Sequence, residues 1–161
     1  MSVHKWLVEF KGLHERARKG QLDEEDKRLY ASSKEQFARA LTASQGLVVP
    51  SGQSARRTFR IAQGLQVDLS LDSGQQRAMT MDISVGGFSV MLHRPPAEGN
   101  AVGFSLRLPG NAEPLVGRAR VVAAERRLGN HRVSFAFQEL SEKDAERLEL
   151  AMFDLAVARL R

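Results

Sequence analysis

The residues best equipped for chemistry lie between Arg56 and Gly87. A basic cluster, Ala55-Arg56-Arg57-Thr58-Phe59-Arg60, opens the stretch, and Met81-Asp82-Ile83-Ser84-Val85-Gly86-Gly87 closes it. A guanidinium carries five donors in a rigid fork, a shape that suits phosphate oxygens and the Hoogsteen edge of guanine. Asp82 supplies a carboxylate that accepts hydrogen bonds and can pair with amide-like base edges. Ser84 adds a hydroxyl two residues later, on the same side wherever the backbone is extended. The adjacent Gly86 and Gly87 permit a sharp turn or a close backbone approach to a ligand. Together these groups suit a small anionic ligand with polar ring edges, bound but not turned over.

The arginines alone would pass for a solvated basic run. Their order and spacing say more. Arg56 and Arg60 stand as R-x-x-x-R, and about twenty residues on Asp82, Ser84 and Gly87 stand as D-x-S-x-x-G. The pair of motifs, followed by a barrel-like strand pattern, resembles the signature of PilZ domains across roughly residues 55–155. The resemblance implies a small β-barrel that binds the bacterial second messenger cyclic di-GMP. It further implies that Arg56 and Arg60 hold phosphates and guanine, with Arg57 beside them, and that Asp82 and Ser84 contact the nucleotide near Gly86 and Gly87. No cofactor is implied beyond this ligand. One departure from the family pattern is Ser134, where a glycine is common; the hydroxymethyl narrows the space beside a ligand.

The rest of the composition limits the alternatives. The chain has 161 residues, 42% of them hydrophobic, enough for one main domain and an appendage. Without a cysteine it has no disulfide, zinc–thiolate or thiol chemistry. Its apolar runs fall far short of a membrane span, and charged residues near the N-terminus leave no room for a signal-peptide core, so a cytoplasmic location is expected. Of a net charge of +5, three charges come from the arginines of residues 56–60. Such concentration marks a focused anion site rather than a nucleic-acid track.

These residues need elements to position them. Helical spacing of Val3, Leu7, Phe10 and Leu13, widened by Trp6, predicts a helix over 3–19 that ends at Gly20. Residues 23–45 predict a second helix, capped by Asp23, with Leu29 or Tyr30, Phe37 and Leu41 on its apolar side. The two form an N-terminal helical hairpin over 1–46. The small polar segment 47–55, including Val49-Pro50-Ser51-Gly52-Gln53-Ser54, reads as a linker able to leave the arginines mobile until an anion binds. The domain proper is expected over 56–161. Strands are predicted at 64–71, 78–83, 87–92, 101–108, 115–124 and 132–138, which makes the fold mainly β, a six-stranded antiparallel barrel of PilZ type. A C-terminal helix follows from Ser141, with Asp144 completing a capping box. Its apolar residues fall on two sides, Leu148, Met152 and Leu155 on one, Leu150, Phe153, Val157 and Leu160 on another. That surplus predicts a homodimer built through helices of 1–45 and 142–161.

No catalytic set emerges. His4, His14, His93 and His131 are scattered without metal-ligand spacing, and His131 reads as a surface residue. Ser84 has no evident base, and no phosphate-binding Walker loop accompanies the arginines. The expected class is a non-enzymatic cyclic di-GMP sensor or adaptor with an unknown downstream protein partner. An assembly protein whose barrel has lost ligand binding is the alternative. A nucleic-acid-binding barrel is a further one, but it would need aromatics on exposed strand faces, whereas Phe88, Phe104, Phe135 and Phe137 follow the core alternation.

Overall fold

In a computed structural model of the chain, residues 3–49, 51–52 and 54–159 are described, Val3 by its backbone alone. The expected contributions of the Val3 side chain, of Leu160, and of Pro50 and Gln53 in the linker lie outside the described residues. The chain divides into two compact units, Met1–Phe59 and Arg60–Arg161.

The first unit is a helical hairpin. Helix α1 (Val3–Arg18) closes through a hydrogen bond from Gln21 N to Arg16 O of 2.9 Å, made possible by Gly20 at φ +66°. Helix α2 (Glu24–Ser44) starts at Asp23, whose carboxylate accepts from Asp26 N at 2.8 Å. Its apolar side runs through Tyr30 and Phe37, with Leu29 left 52% exposed. Aromatic contact joins the helices: Trp6 stacks on Phe10 at 5.4 Å, and Phe10 meets Phe37 edge-on at 5.1 Å. His14 is buried beside them and shares a 2.6 Å hydrogen bond with the Tyr30 hydroxyl. A single 3-10 turn, Ala55–Arg57, completes the unit.

The second unit is the expected barrel. Its strands are β1 (Gln66–Leu71), β2 (Gly74–Ile83), β3 (Gly87–Leu92), β4 (Ala101–Leu106), β5 (Leu115–Arg127) and β6 (Asn130–Gln138). All pairings are antiparallel and the order β1-β2-β3-β6-β5-β4 closes on itself, leaving no free edge. Alternate residues fill the interior, and Phe88 stacks on Phe135 at 5.1 Å while touching Phe104. The sheet is longer than its apolar alternation. β2 begins at Gly74, four residues earlier than predicted, because Gln75, Gln76 and Arg77 are paired but exposed and so carry no hydrophobic signal. β5 and β6 likewise continue to Arg127 and back from Asn130 as a polar ribbon around the turn Leu128-Gly129. His131 lies on this ribbon and is half-buried rather than fully exposed.

Helix α3 (Glu142–Arg159) starts with Asp144 N donating to the Ser141 hydroxyl at 3.1 Å. Arg147 ties it to the barrel through the Glu113 carbonyl at 2.8 Å, and Arg159 through the Ala62 carbonyl and the Gln63 side chain. Both of its predicted apolar sides supply buried residues, Leu148 and Met152 from one and Phe153 from the other.

Candidate functional site

Asp82 owes its position to a β-bulge. Thr80 pairs with Val90, but Asp82 pairs with Ser89, so two steps along β2 match one along β3. Thr80 points inward, where its hydroxyl accepts from Leu65 N at 2.8 Å and donates to Gln63 O at 2.6 Å. Simple alternation would send Asp82 inward as well. The extra residue, Met81, places Met81 and Asp82 consecutively on the outer face and returns Ile83 to the core. β5 carries a matching irregularity between Val121 and Ala123, so that Asp82, Ser89, Ser134 and Ala123 share one rung across four strands. Ser134 therefore stands on the face that bears Asp82.

The carboxylate is surrounded by donors. Ser89, buried, donates its hydroxyl to Asp82 Oδ1 at 2.9 Å. Arg132 Nη2 reaches Oδ2 at 2.6 Å from β6. Arg60 Nη1 lies 3.5 Å from Oδ1. Arg60 is held nearby because Ile61 and Ile83 exchange two backbone hydrogen bonds of 2.9 Å, which lays the segment along the end of β2. With the Asp82 side chain only 15% exposed, these partners replace most of its hydration. A base edge approaching Asp82 would share it with, or displace, Arg132.

Ser84 and the glycines close the β2–β3 connection. Ser84 N donates to Gly87 O at 2.8 Å, and the buried Ser84 hydroxyl accepts from Gly86 N at 3.1 Å. Gly86 O in turn accepts from Phe137 N at 3.0 Å. Neither glycine has a positive φ. Gly87 is required for another reason: a Cβ there would collide with the Phe135 carbonyl and stand 3.2 Å from Ala136 Cα. Gly87 thus makes a close backbone approach to β6.

Arg56 and Arg57 sit in the first unit, and their surroundings come from α2. Glu35 accepts from the Ser54 hydroxyl at 2.6 Å and from Ala55 N at 3.1 Å. Arg39 Nε lies 3.3 Å from the same carboxylate and Arg56 Nε 3.9 Å. The Ser54 oxygen also accepts from Arg56 N and Nε, each at 3.2 Å. Burial alone would raise the Glu35 pKa. The hydrogen bonds from Ser54 and Ala55, the charge of Arg39 and the Arg56 backbone together outweigh it and hold the carboxyl below its ordinary value. The end of the predicted linker is therefore anchored rather than loose. Arg57 is half-buried on the 3-10 turn.

Sequence reasoning missed three members of these clusters. Glu35 was one polar residue on a helix face, Ser89 one of several strand serines, and Arg132 a cation next to a turn. Only the register places Ser89 and Arg132 beside Asp82, and only the return of the chain after α2 brings Ser54 to Glu35. Among the described residues, no group of three potential metal ligands occurs, and no helix is long and apolar enough to cross a membrane.

The profile of the PilZ domain family matches residues 54–154. No curated protein sequence matches the chain. Among solved structures, the chain is similar to the Bacillus subtilis inhibitor of motility MotI/DgrA, with a TM-score of 0.56 and 18% identity over 63% of this chain and 51% of that one. It is also similar to the PilZ domain of YcgR from Escherichia coli, solved with c-di-GMP, at a TM-score of 0.54 and 20% identity over 61% of this chain and 88% of that one. A third likeness is to the MrkH–c-di-GMP complex of K. pneumonia, with a TM-score of 0.51 and 16% identity over 62% of this chain and 51% of that one. The chain thus matches about half the length of MotI/DgrA and of MrkH. At such identities the likeness is one of fold. The family profile covers well over half of the sequence and falls on the barrel, its two motifs and most of α3, and the chain belongs to the PilZ domain family.

Proposed function

We propose that the protein is a non-catalytic receptor for cyclic di-GMP. The observation that carries this reading is the convergence of Arg60 and Asp82 on the outer face of a PilZ barrel, with the motif's other arginine four residues upstream. In this reading Arg56, Arg57 and Arg60 take the phosphates and stack on guanine, while Asp82, Ser84, Gly86 and Gly87 form the barrel side of the site. YcgR and MrkH, whose folds are similar, have both been solved with c-di-GMP, which supports the choice of ligand. The signal is a change in how the helical hairpin is arranged on the barrel, or in the surface offered to a downstream protein. Phosphate oxygens compete with Glu35 for Arg56, and the anchored segment exchanges one set of acceptors for another. Calorimetric titration of the purified chain with cyclic di-GMP tests the function. Absence of binding at micromolar concentrations would sink it and leave the reading of a helical assembly protein with a non-binding barrel.

The receptor works as a cytoplasmic homodimer in the same reading. Val8 and Leu29 of the hairpin and Leu150 of α3 are exposed apolar residues on helices, and a second copy would cover them. Sedimentation of the full chain decides this point, with a monomer at micromolar concentration as the contrary result.

A further inference from the structure

The cluster around Asp82 contains one more cation than the two motifs account for. We propose that Arg132 is an additional nucleotide-contacting residue, held ready by Asp82 and directed at a phosphate or a guanine of the bound ligand. The inference rests on the cyclic di-GMP reading and adds to it a residue from β6, outside both motifs.

Three observations lead there. First, the position of Arg132 is set by the barrel. It pairs with Met91, two rungs from the Ser89–Ser134 pair and so on the same outer face that the β2 bulge gives to Asp82. Second, the side chain is fixed at one corner. Nη2 meets Asp82 Oδ2 at 2.6 Å and lies 3.4 Å from the buried Ser89 hydroxyl. Nε and Nη1 make no other hydrogen bond or ion pair among the described residues, and a third of the side chain is exposed. Its neighbour across the β5–β6 ladder, Glu125, is engaged by Arg127 at 2.7 Å instead. A guanidinium anchored at one nitrogen with the rest of its fork open has already lost much of its rotational freedom, which lowers the cost of accepting a ligand.

Third, the charges require it. A carboxylate beside a phosphate-binding site repels the ligand unless it is outweighed. Asp82 with Arg60 alone is neutral, whereas Asp82 with Arg60 and Arg132 carries a net positive charge. Arg132 therefore makes the barrel's own share of the site attractive to an anion, while Asp82 serves to gather the two cations.

The test is titration of the full chain with cyclic di-GMP for wild type, Arg132→Ala, Arg132→Lys, Asp82→Ala and the Asp82→Ala/Arg132→Ala double variant. Arg132→Ala is expected to weaken binding about tenfold or more. Arg132→Lys should fall short of wild type by at least about threefold, because one ammonium cannot bond Asp82 and also offer a planar fork to the ligand. In the Asp82→Ala background, loss of Arg132 should still cost about fivefold, since the contact is made to the ligand and not only through Asp82. Circular dichroism establishes that each variant is folded, and if Arg132→Ala is not, the lysine variant decides. Binding by Arg132→Ala or by Arg132→Lys equal to wild type overturns the proposal. So does an Arg132 substitution without effect once Asp82 is gone. A wild type that fails to bind cyclic di-GMP overturns the receptor function itself and this inference with it, whereas a binding wild type with an indifferent Arg132 overturns the inference alone.

Discussion

Two carboxylates attend the two arginines of one motif, in opposite kinds of surroundings. Asp82 lies in a rung of the sheet, fed by a bulge, a buried serine and an arginine fifty residues away. Glu35 lies on a helix face, and its short contacts are to the hydroxyl and backbone of Ser54 and Ala55, with Arg56 more distant at 3.9 Å. The barrel cluster is determined by strand register and cannot move without disturbing the sheet. The helical cluster holds the root of the arginine segment through Ser54 and Ala55, while the Arg56 guanidinium meets the neighbouring Ser54 hydroxyl at 3.2 Å and Glu35 only at 3.9 Å. The boundary between the two compact units falls after Phe59, inside the R-x-x-x-R motif. The cluster around Asp82 is therefore the built-in side, with Arg60 half exposed at its margin, and the cluster around Glu35 is the adjustable one.

The largest expected effect breaks the built-in side. Asp82→Ala removes the acceptor of Ser89 and the counter-charge of Arg132 from a site that is mostly screened from water. Breaking such a pair from one side leaves the partner charge uncompensated, and a loss of about 2–3 kcal/mol in unfolding free energy is expected, short of a fully buried pair because Arg132 can turn to solvent. Urea denaturation of the full chain measures it. A loss smaller than that of Glu35→Ala would reverse the contrast drawn between the clusters.

Binding should not distinguish the two motif arginines from one another. In the proposed site Arg56 and Arg60 each give the ligand charge-assisted hydrogen bonds of roughly 1.5–3 kcal/mol, so truncating either should lower cyclic di-GMP affinity about tenfold to a hundredfold. Arg57→Ala should cost about 1 kcal/mol if its role is stacking on a base. Without ligand, Arg60→Ala should change unfolding by less than about 1 kcal/mol, since half of that side chain faces solvent and its contact to Asp82 is long. Titrations and melts of the three variants check both statements. Two arginine variants that bind like wild type would detach the motif from the function.

Gly87→Ala tests the backbone beneath the built-in cluster. The added methyl would meet the Phe135 carbonyl, a rigid group in a paired strand, so β3 must separate from β6 two rungs from Ser89 and Ser134. A destabilisation of about 1–3 kcal/mol is expected, together with weaker ligand binding. Gly86→Ala is the control, because a Cβ at Gly86 meets nothing closer than the Ser84 hydroxyl at 3.6 Å. Equal melting temperatures for the two variants would contradict the packing account of Gly87.

Much of this was legible in the sequence, for identifiable reasons. Strands whose faces alternate between core and solvent declare themselves, as β3 does through Phe88, Val90 and Leu92, and so do caps such as Asp23 and Ser141. The polar ends of β2, β5 and β6 were hidden because a paired strand with both faces exposed has no hydrophobic period. The motifs pointed to Arg60 and Asp82 but not to their company. Arg132 and Ser89 become neighbours of Asp82 only through a one-residue bulge, and a slip of one residue exchanges the two faces of a strand. Glu35 was hidden differently: its hydrogen-bonding partners Ser54 and Ala55 lie about twenty residues away, reached by a segment with little periodicity of its own.

The smallest effect, and the one that isolates the adjustable side, belongs to Glu35→Gln. The amide keeps the shape and one acceptor oxygen but loses the charge that strengthens the bonds from Ser54 and Ala55 and draws Arg39 and Arg56. About 1 kcal/mol of stability should be lost at neutral pH, a modest figure because the cluster is partly open to water. The pH dependence follows from the direction of the shift. The folded Glu35 carboxyl titrates below its ordinary value of 4.5, so the ionised group favours the folded state. That contribution is complete above the unfolded value and disappears as pH falls through the folded one. The difference in unfolding free energy between wild type and Glu35→Gln should therefore be constant from about pH 7 to pH 5 and then shrink as acid is added below 4.5. Urea denaturation across this range measures it. Glu35→Gln should also bind cyclic di-GMP at least as tightly as wild type at neutral pH, since a competitor for Arg56 has been weakened. Binding tenfold weaker than wild type would mean that Glu35 presents the arginine to the ligand rather than competing for it.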